Sequence, residues 1–262
     1  MNAKRQTEPA VKILVVSFST SEKIIHSAHT TARDTTERRI PASEGSRPKK
    51  YLRSAAEMFT GAHHESVMAG VGQVRRMLGN GAASVIFVSP VYGVVGEHEP
   101  IAPYTENFFM KKTGWIRDRA RKLDIPARIR AAIQGWPLVI FLLHRQELMA
   151  IKPPLEPETG QRLVFLAGED SRGLLAHSGV TVVSVTPSDS GMYGARGAAL
   201  KGRLFEFYAA ALSDEGHKLW KRTRQDDLPI TFMSAARRAM AKQILLKSSI
   251  SEANRSDAAF SL

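Results

Sequence analysis

The sequence predicts an α/β fold with a largely parallel central sheet of about five strands, flanked by helices and followed by a C-terminal helical appendage. Five short apolar runs carry the sheet: Lys12 to Ser17, Ser84 to Ser89, Leu138 to Leu143, Leu163 to Ala167 and Val180 to Val185. Rich in valine, isoleucine and phenylalanine, they lack the polar alternation of strands that face water on one side. Helical patterns lie between them, the clearest being Val67, Val71, Val74 and Leu78 on one stripe. Strands alternating with helices imply a parallel sheet covered on both faces.

Taken along the chain, residues 1 to 10 are polar and expected to be flexible. After the first strand, residues 26 to 53 carry His26, His29, Arg33, Arg38, Arg39, Arg47, Lys49, Lys50 and Arg53 with little apolar periodicity, which reads as a long basic loop. The proline-rich IKPPLEPETGQ at 151 to 161 reads as a connector between the third and fourth strands. After the fifth strand, Leu200, Leu204, Phe207, Tyr208, Ala211 and Leu212 share one helix face that packs on the sheet. The α/β domain is therefore expected to span 11–212. Residues 213–250 read as a basic helical appendage, a short helix and turn followed by a second helix from Met233 to Leu246, and 251–262 as a frayed end.

At 262 residues the chain can bury one sizeable core. It has no cysteine, which removes disulfides, thiolate metal sites and thiol nucleophiles together. MNAKRQTEPA lacks the apolar stretch of a signal peptide, and no run approaches the roughly 18 to 20 apolar residues of a membrane span, so a cytoplasmic location is expected. Lysine and arginine total 37 against 25 acidic residues, a formal charge of +12 that suits a polyanion partner. From Lys111 to Arg130 there are eight basic and two acidic residues, so half of the excess lies in that one segment. The histidines show no ligand spacing, adjacent His63 and His64 point apart on a helix, and neither a metal nor a cofactor is expected.

In open parallel sheets ligands bind beyond the carboxyl ends of the strands. The five expected strands end in Ser17-Phe18-Ser19-Thr20-Ser21-Glu22-Lys23, Ser89-Pro90-Val91-Tyr92-Gly93, His144-Arg145-Gln146-Glu147, Gly168-Glu169-Asp170-Ser171-Arg172 and Pro187-Ser188-Asp189-Ser190-Gly191. All five ends are polar, and their convergence on one rim would make a site.

The order VSFSTSEK, IPASEGSRPKKYL with MFTG, SPVYGVVGEHEPIAPYTENFF, FLAGEDSRGLL and PSDSGMYGARGAALKGRLFEFY resembles the family of small YaaA-like proteins over residues 11 to 212. The stretch from SPVYGVV to APYTENF is also similar to the base-modifying core of archaeosine synthases. Two positions depart from the family pattern: its cysteine is Phe18 here, and the aspartate of its Pro-Tyr-Asp motif is Thr105, leaving Glu106 and Asn107 beside it. The resemblance implies nucleic-acid association and a fold like that of uracil-DNA glycosylases.

An enzyme acting on a base must extrude it, stack it on apolar faces and read its polar edge. Ser17, Phe18, Ser19, Lys23, Ser89, Tyr92, Tyr104 and Arg172 are the candidate base pocket, with Phe108 more suited to the core. Breaking an N-glycosidic bond develops positive charge on the sugar, which a carboxylate stabilises while a neutral donor helps the base to leave. Asp170 and Glu106 are the first carboxylate candidates and Asp189 the third, with Asn107, His144 and Lys23 as donors. Asp170 would equally serve as a helix N-cap.

Lys111, Lys112, Arg117, Arg119, Arg121 and Lys122, with Trp115 among them, are expected to contact the nucleic-acid backbone, together with Arg196 and Lys201. Arg237, Arg238 and Lys242 either extend that track or cap the domain. Gly191, Gly194 and Gly197 could bring N–H groups close to an anion or simply serve a turn. The expected activity is that of a DNA glycosylase removing a modified base from double-stranded DNA, in repair or in defence against phages. A non-enzymatic DNA-binding stress protein and an RNA enzyme modifying a tRNA base are the alternatives.

Overall fold

The computed structural model describes residues 11–20, 52–175, 180–225 and 227–259. Its strands are β1 (Ile13–Phe18), β2 (Arg53–Ser54), β3 (Ala83–Ser89), β4 (Gly93–Gly96), β5 (Pro100–Ile101), β6 (Leu138–Phe141), β7 (Arg162–Ala167) and β8 (Val180–Ser184). The helices are α1 (Ala55–Met58), α2 (Ala62–Leu78), α3 (Thr113–Lys122), α4 (Ile125–Ile133) and α5 (Arg145–Ile151). After these come α6 (Glu169–Arg172), α7 (Pro187–Tyr193), α8 (Gly197–Glu215), α9 (His217–Gln225) and α10 (Leu228–Ala259).

Six strands form the main sheet in the order β4-β3-β1-β6-β7-β8. Five of them are parallel, and they coincide with the five apolar runs of the sequence. The sixth is an addition: β4 folds back antiparallel on β3, pairing Ser89 with Gly93 and Ile86 with Gly96. Its only large apolar residues, Val94 and Val95, stand between two glycines, too short a run to register as a strand. Gly93 sits at φ +79° with the Arg128 guanidinium 2.7 Å from where a Cβ would be, so the turn has room only for glycine.

Each strand sends alternate residues to two different apolar layers. Ile13 and Val15 join Val85, Phe87, Leu138 and Ile140 beneath α2 and α8, whereas Leu14, Val16 and Phe18 join Val88, Val139 and Phe141 beneath α3, α4 and α5. This two-sided burial explains why the strand runs are apolar throughout. The valine stripe of α2 is buried at Val67, Val71 and Val74. Glycines let α2 and α8 approach closely: a Cβ on Gly70 would meet Phe205 at 2.8 Å, and one on Gly202 would meet the His63 carbonyl at 2.7 Å.

The C-terminal helical region is present but continuous with the core. α8 runs through the expected boundary at 212, and Leu219, Trp220, Leu228, Phe232, Ala235 and Ala236 are buried in the same cluster as Leu204 and Tyr208. α10 also continues to Ala259, where a frayed end was expected from position 251. Arg238 and Lys242 pair with Glu215 at 2.7 Å and Asp214 at 2.6 Å, so these cations tie α10 to α8. Lys23, the basic stretch up to Tyr51 and residues 1 to 10 lie outside the described residues. No helix among the described residues is long and apolar enough to cross a membrane.

Candidate functional site

The carboxyl ends of β6, β7 and β8 open onto a cleft of about 1050 Å³. His144 and Arg145 enter it from the end of β6, Gly168 to Ser171 from the end of β7, and Thr186, Pro187 and Ser190 from the end of β8. The far wall is Gly194 to Gly197 with Leu200 and Lys201, where α8 begins. A volume of this order holds a nucleoside, since small-molecule pockets run from about 300 to 1,000 Å³. Arg145, Arg196 and Lys201 set three cations against Glu169 and Asp170 on its walls.

Asp170 stands exposed in the first turn of α6, where Gly168 is the N-cap, so its carboxylate is not spent on capping. Ser171, itself buried, donates to Asp170 Oδ1 at 3.1 Å, and Arg145 donates to the Asp170 carbonyl. The Arg145 bond ties α6 to the start of α5. His144 is the N-cap residue of α5, with its ring 4.7 Å from that of Phe18. Burial, aided by the nearby Lys201 charge, pushes the His144 imidazole down to about 4 despite the opposing pull of Asp170. His144 is therefore neutral near pH 7, able to donate from one nitrogen and accept at the other.

Lys201 is 6% exposed, and its ammonium donates to the Leu143 carbonyl at the end of β6. Burial lowers its amine to about 8, against the raising influence of Asp170 and Glu147. Glu147, on α5 beyond His144, is buried, and burial pushes its carboxyl up to about 7 while its own N–H, the Lys201 charge and the His144 N–H pull the other way. One buried carboxyl oxygen, Glu147 Oε2, has no hydrogen-bond partner. Lys201 was expected on the nucleic-acid surface. It lies instead inside the cleft wall, because it flanks Leu200 and Leu204 on the buried stripe of α8.

Other expected site residues form a second, closed group at the ends of β1 and β3. Ser89 Oγ shares a 2.7 Å hydrogen bond with the Tyr104 hydroxyl and accepts from the N–H groups of Val91 and Tyr92, each at 3.1 Å. Tyr104 is 4% exposed, and burial raises its phenol above the ordinary range against the hydrogen bonds of Ser19 and Ser89. Tyr92 lies edge-on to Tyr104 at 5.5 Å and accepts from the Ala102 N–H at 3.1 Å. Ser17 shares a 3.0 Å hydrogen bond with His63 Nε2, and Phe18 stacks on His63 at 4.4 Å. The chain turns from building one side of the sheet to the other between β1 and β6, the usual ligand crevice of such sheets. At this point Phe18 packs between His63 and His144. Ser17, Ser19, Ser89 and Tyr104 are thus buried, and none of them borders the β6–β8 cleft.

Three expected catalytic groups fall outside the cleft. Asp189 accepts from the N–H and the hydroxyl of Thr186, both at 2.8 Å, as the carboxylate of a capping box on α7. Glu106 pairs with Lys111 at 3.1 Å, and neither Glu106 nor Asn107 borders the cleft. Arg172 reaches Ser184 and pairs with Glu169 at 3.3 Å, bracing the end of β7 to β8 from outside the lining. Arg196 does line the cleft, as do Gly191, Gly194 and Gly197. His63, Arg145 and Glu147 were not among the expected site residues.

Along α3, Lys112, Arg117, Arg121 and Lys122 are exposed. Lys111 and Arg119 flank the Trp115 ring at 5.0 and 5.7 Å, and Arg119 also donates to the Pro90 carbonyl, so part of this charge braces the β3–β4 turn. Arg121 pairs with Asp118. α3 packs on α5, whose N-terminus borders the cleft, and Thr113 Oγ1 lies 3.9 Å from Met149 Sδ. Among the described residues no group of three His, Cys, Asp or Glu is placed to hold a metal ion. No protein-family model matches the chain, and no curated protein matches it.

Proposed function

We propose that this protein is a nucleic-acid enzyme that holds one extruded nucleoside in the β6–β8 cleft and hydrolyses the bond between base and sugar, a DNA glycosylase-like activity. The observation that carries the reading is the meeting of Asp170, His144 and Lys201 in one open cleft at the carboxyl edge of a parallel sheet. N-glycoside cleavage needs an anion near the sugar, a hydrogen-bonding group for the departing base and a wall that excludes water.

Asp170 is the anion, facing solvent from a short helix, and it stabilises the developing sugar cation or orients the attacking water. His144 stays neutral at physiological pH and so hydrogen-bonds the base edge without repelling the cationic sugar. Arg145 and Arg196 take the flanking phosphates, and the exposed cations of α3 add sequence-independent attraction to the backbone. The resemblance to YaaA-like proteins and to archaeosine synthases points the same way.

The test is release of base from a panel of duplex oligonucleotides carrying modified pyrimidines and purines, read as strand breaks after alkali. Cleavage of at least one modified duplex is expected, lost in Asp170→Asn and retained in Glu106→Gln. Intact strands across the panel would overturn the glycosylase reading. Base exchange on tRNA without action on DNA would replace it by RNA modification, and tight DNA binding without any chemistry by a binding protein.

A further inference from the structure

We propose that Lys201 is the amine of an abasic-site lyase, condensing in the cleft with the C1′ aldehyde of a sugar that has lost its base. This rests on the reading of the cleft as a nucleoside site. The base-release step assigns its chemistry to Asp170 and His144, and Lys201 lines the same cleft as both without a step of its own.

Three features set Lys201 apart from the other cations of the cleft. Arg145 and Arg196 are exposed guanidiniums, whose delocalised nitrogens are poor nucleophiles, whereas Lys201 is a buried primary amine. Its nitrogen is anchored by the Leu143 carbonyl at the end of β6, so it is presented from a fixed position rather than on a mobile stem. The backbone behind it is also fixed, because Gly202 sits against the His63 carbonyl with no space for a side chain. With the amine lowered to about 8, roughly a quarter of it is neutral at pH 7.5, against about a thousandth for an ordinary lysine.

The chemistry balances without any further reagent. The Lys201 amine adds to C1′ of the ring-opened sugar, a C–N bond forms, and the carbonyl oxygen leaves as water to give an imine. Asp170, the exposed carboxylate of the same cleft, takes a proton from C2′. The electron pair of that C–H bond forms the C2′–C3′ double bond as the C3′–O bond breaks and the 3′ phosphate departs. Water then hydrolyses the imine and returns the free amine.

The experiment uses the full chain with a duplex bearing a single abasic site and sodium borohydride, which reduces an imine to a stable covalent adduct. A protein–DNA adduct is expected in the wild type, with peptide mass spectrometry placing it on Lys201. Lys201→Arg should lose the adduct while still binding the duplex, and Lys218→Ala, on the exposed side of α9, should keep it. Wild-type protein that releases base yet forms no adduct, or an adduct on another lysine, would overturn the lyase and leave the glycosylase reading standing. Failure of the wild type both to release base and to bind abasic DNA would remove both. Mapping on the wild type decides the question even if Lys201→Arg fails to fold.

Discussion

The two halves of the sheet's carboxyl edge begin from the same chemistry and end in opposite states. At β1 and β3 the serines and tyrosines turn inward: Ser89 binds Tyr104 and two backbone N–H groups, Ser17 binds His63, and Phe18 closes the gap to His144. At β6, β7 and β8 the corresponding residues surround about 1050 Å³ of open space. Between β3 on one side and β6 and β7 on the other, the difference lies in the element that the strand leads into. β3 returns at once as β4, and its tight turn leaves the hydrogen-bonding groups to one another. β6 and β7 instead run directly into short helices, α5 and α6, whose first turns lift His144, Arg145 and Asp170 to the rim. A polar strand end thus becomes a site only where the next element holds it open.

The comparison breaks most clearly on a pair of substitutions. Asp170→Asn, in the open half, is expected to reduce base release by on the order of 10²- to 10⁴-fold with an unchanged melting temperature. Tyr104→Phe, in the closed half, should do the reverse: a stability loss of about 1–3 kcal/mol from the orphaned Ser89 hydrogen bonding, with activity per folded molecule retained. Activity lost in Tyr104→Phe at unchanged stability would mean that the base pocket lies at β3 after all. A smaller effect is expected for Asp189→Ala, which removes a capping-box carboxylate and should cost about 1 kcal/mol in denaturant unfolding without touching the chemistry.

The smallest effect sharpens the electrostatics of the open half. Burial raises the Glu147 carboxyl from 4.5 to about 7, so the folded protein holds a proton that the unfolded chain releases, and stability falls as pH rises through that window. His144 acts in the opposite sense: lowered from 6.5 to about 4, it is neutral in the fold while the unfolded chain takes up a proton, so its contribution grows as pH rises through that window. Both groups face Lys201, and His144 also feels Asp170. Glu147→Gln removes the opposing contribution and leaves that of His144, with the likewise buried and lowered His64 acting in the same sense, so the melting temperature between pH 5 and about 6.5 should rise more steeply with pH than in the wild type. An unchanged slope would show that Glu147 is already ionised across this range.

The inner strands were legible because double-sided burial makes β1, β6 and β7 apolar along most of their length, whereas the edge strand β8 is only half-buried and showed through its valines. β4 was not legible, since Val94 and Val95 alone make no run and only pairing with β3 makes them a strand. The integration of α9 and α10 leaves no mark in the sequence because Trp220 and Phe232 are single large residues, and their burial depends on distant partners such as Tyr208, stacked on Phe232 at 4.4 Å. At the site, the strand-end rule placed His144 and Asp170 on one rim, whereas Arg196 joins them from the start of α8. It could not separate Asp170 from Asp189, which are both acidic residues in the first turn of a short helix. The distinction is that Thr186 precedes Asp189 by three positions and captures it, a capping-box spacing readable in the sequence. Lys201 looked like surface charge because a lysine's environment is set by what packs around it. The one hint in the sequence was its place beside Leu200 and three residues before Leu204 on the buried stripe of α8.

The central claim, that the β6–β8 cleft receives a single nucleoside unit, is tested most directly by a crystal structure of the protein with a duplex carrying a stable tetrahydrofuran abasic-site analogue. The extruded sugar is expected between His144, Asp170 and Lys201, with its flanking phosphates on Arg145 and Arg196. A duplex bound elsewhere, with the sugar still in the helix and the cleft untouched, would contradict the account.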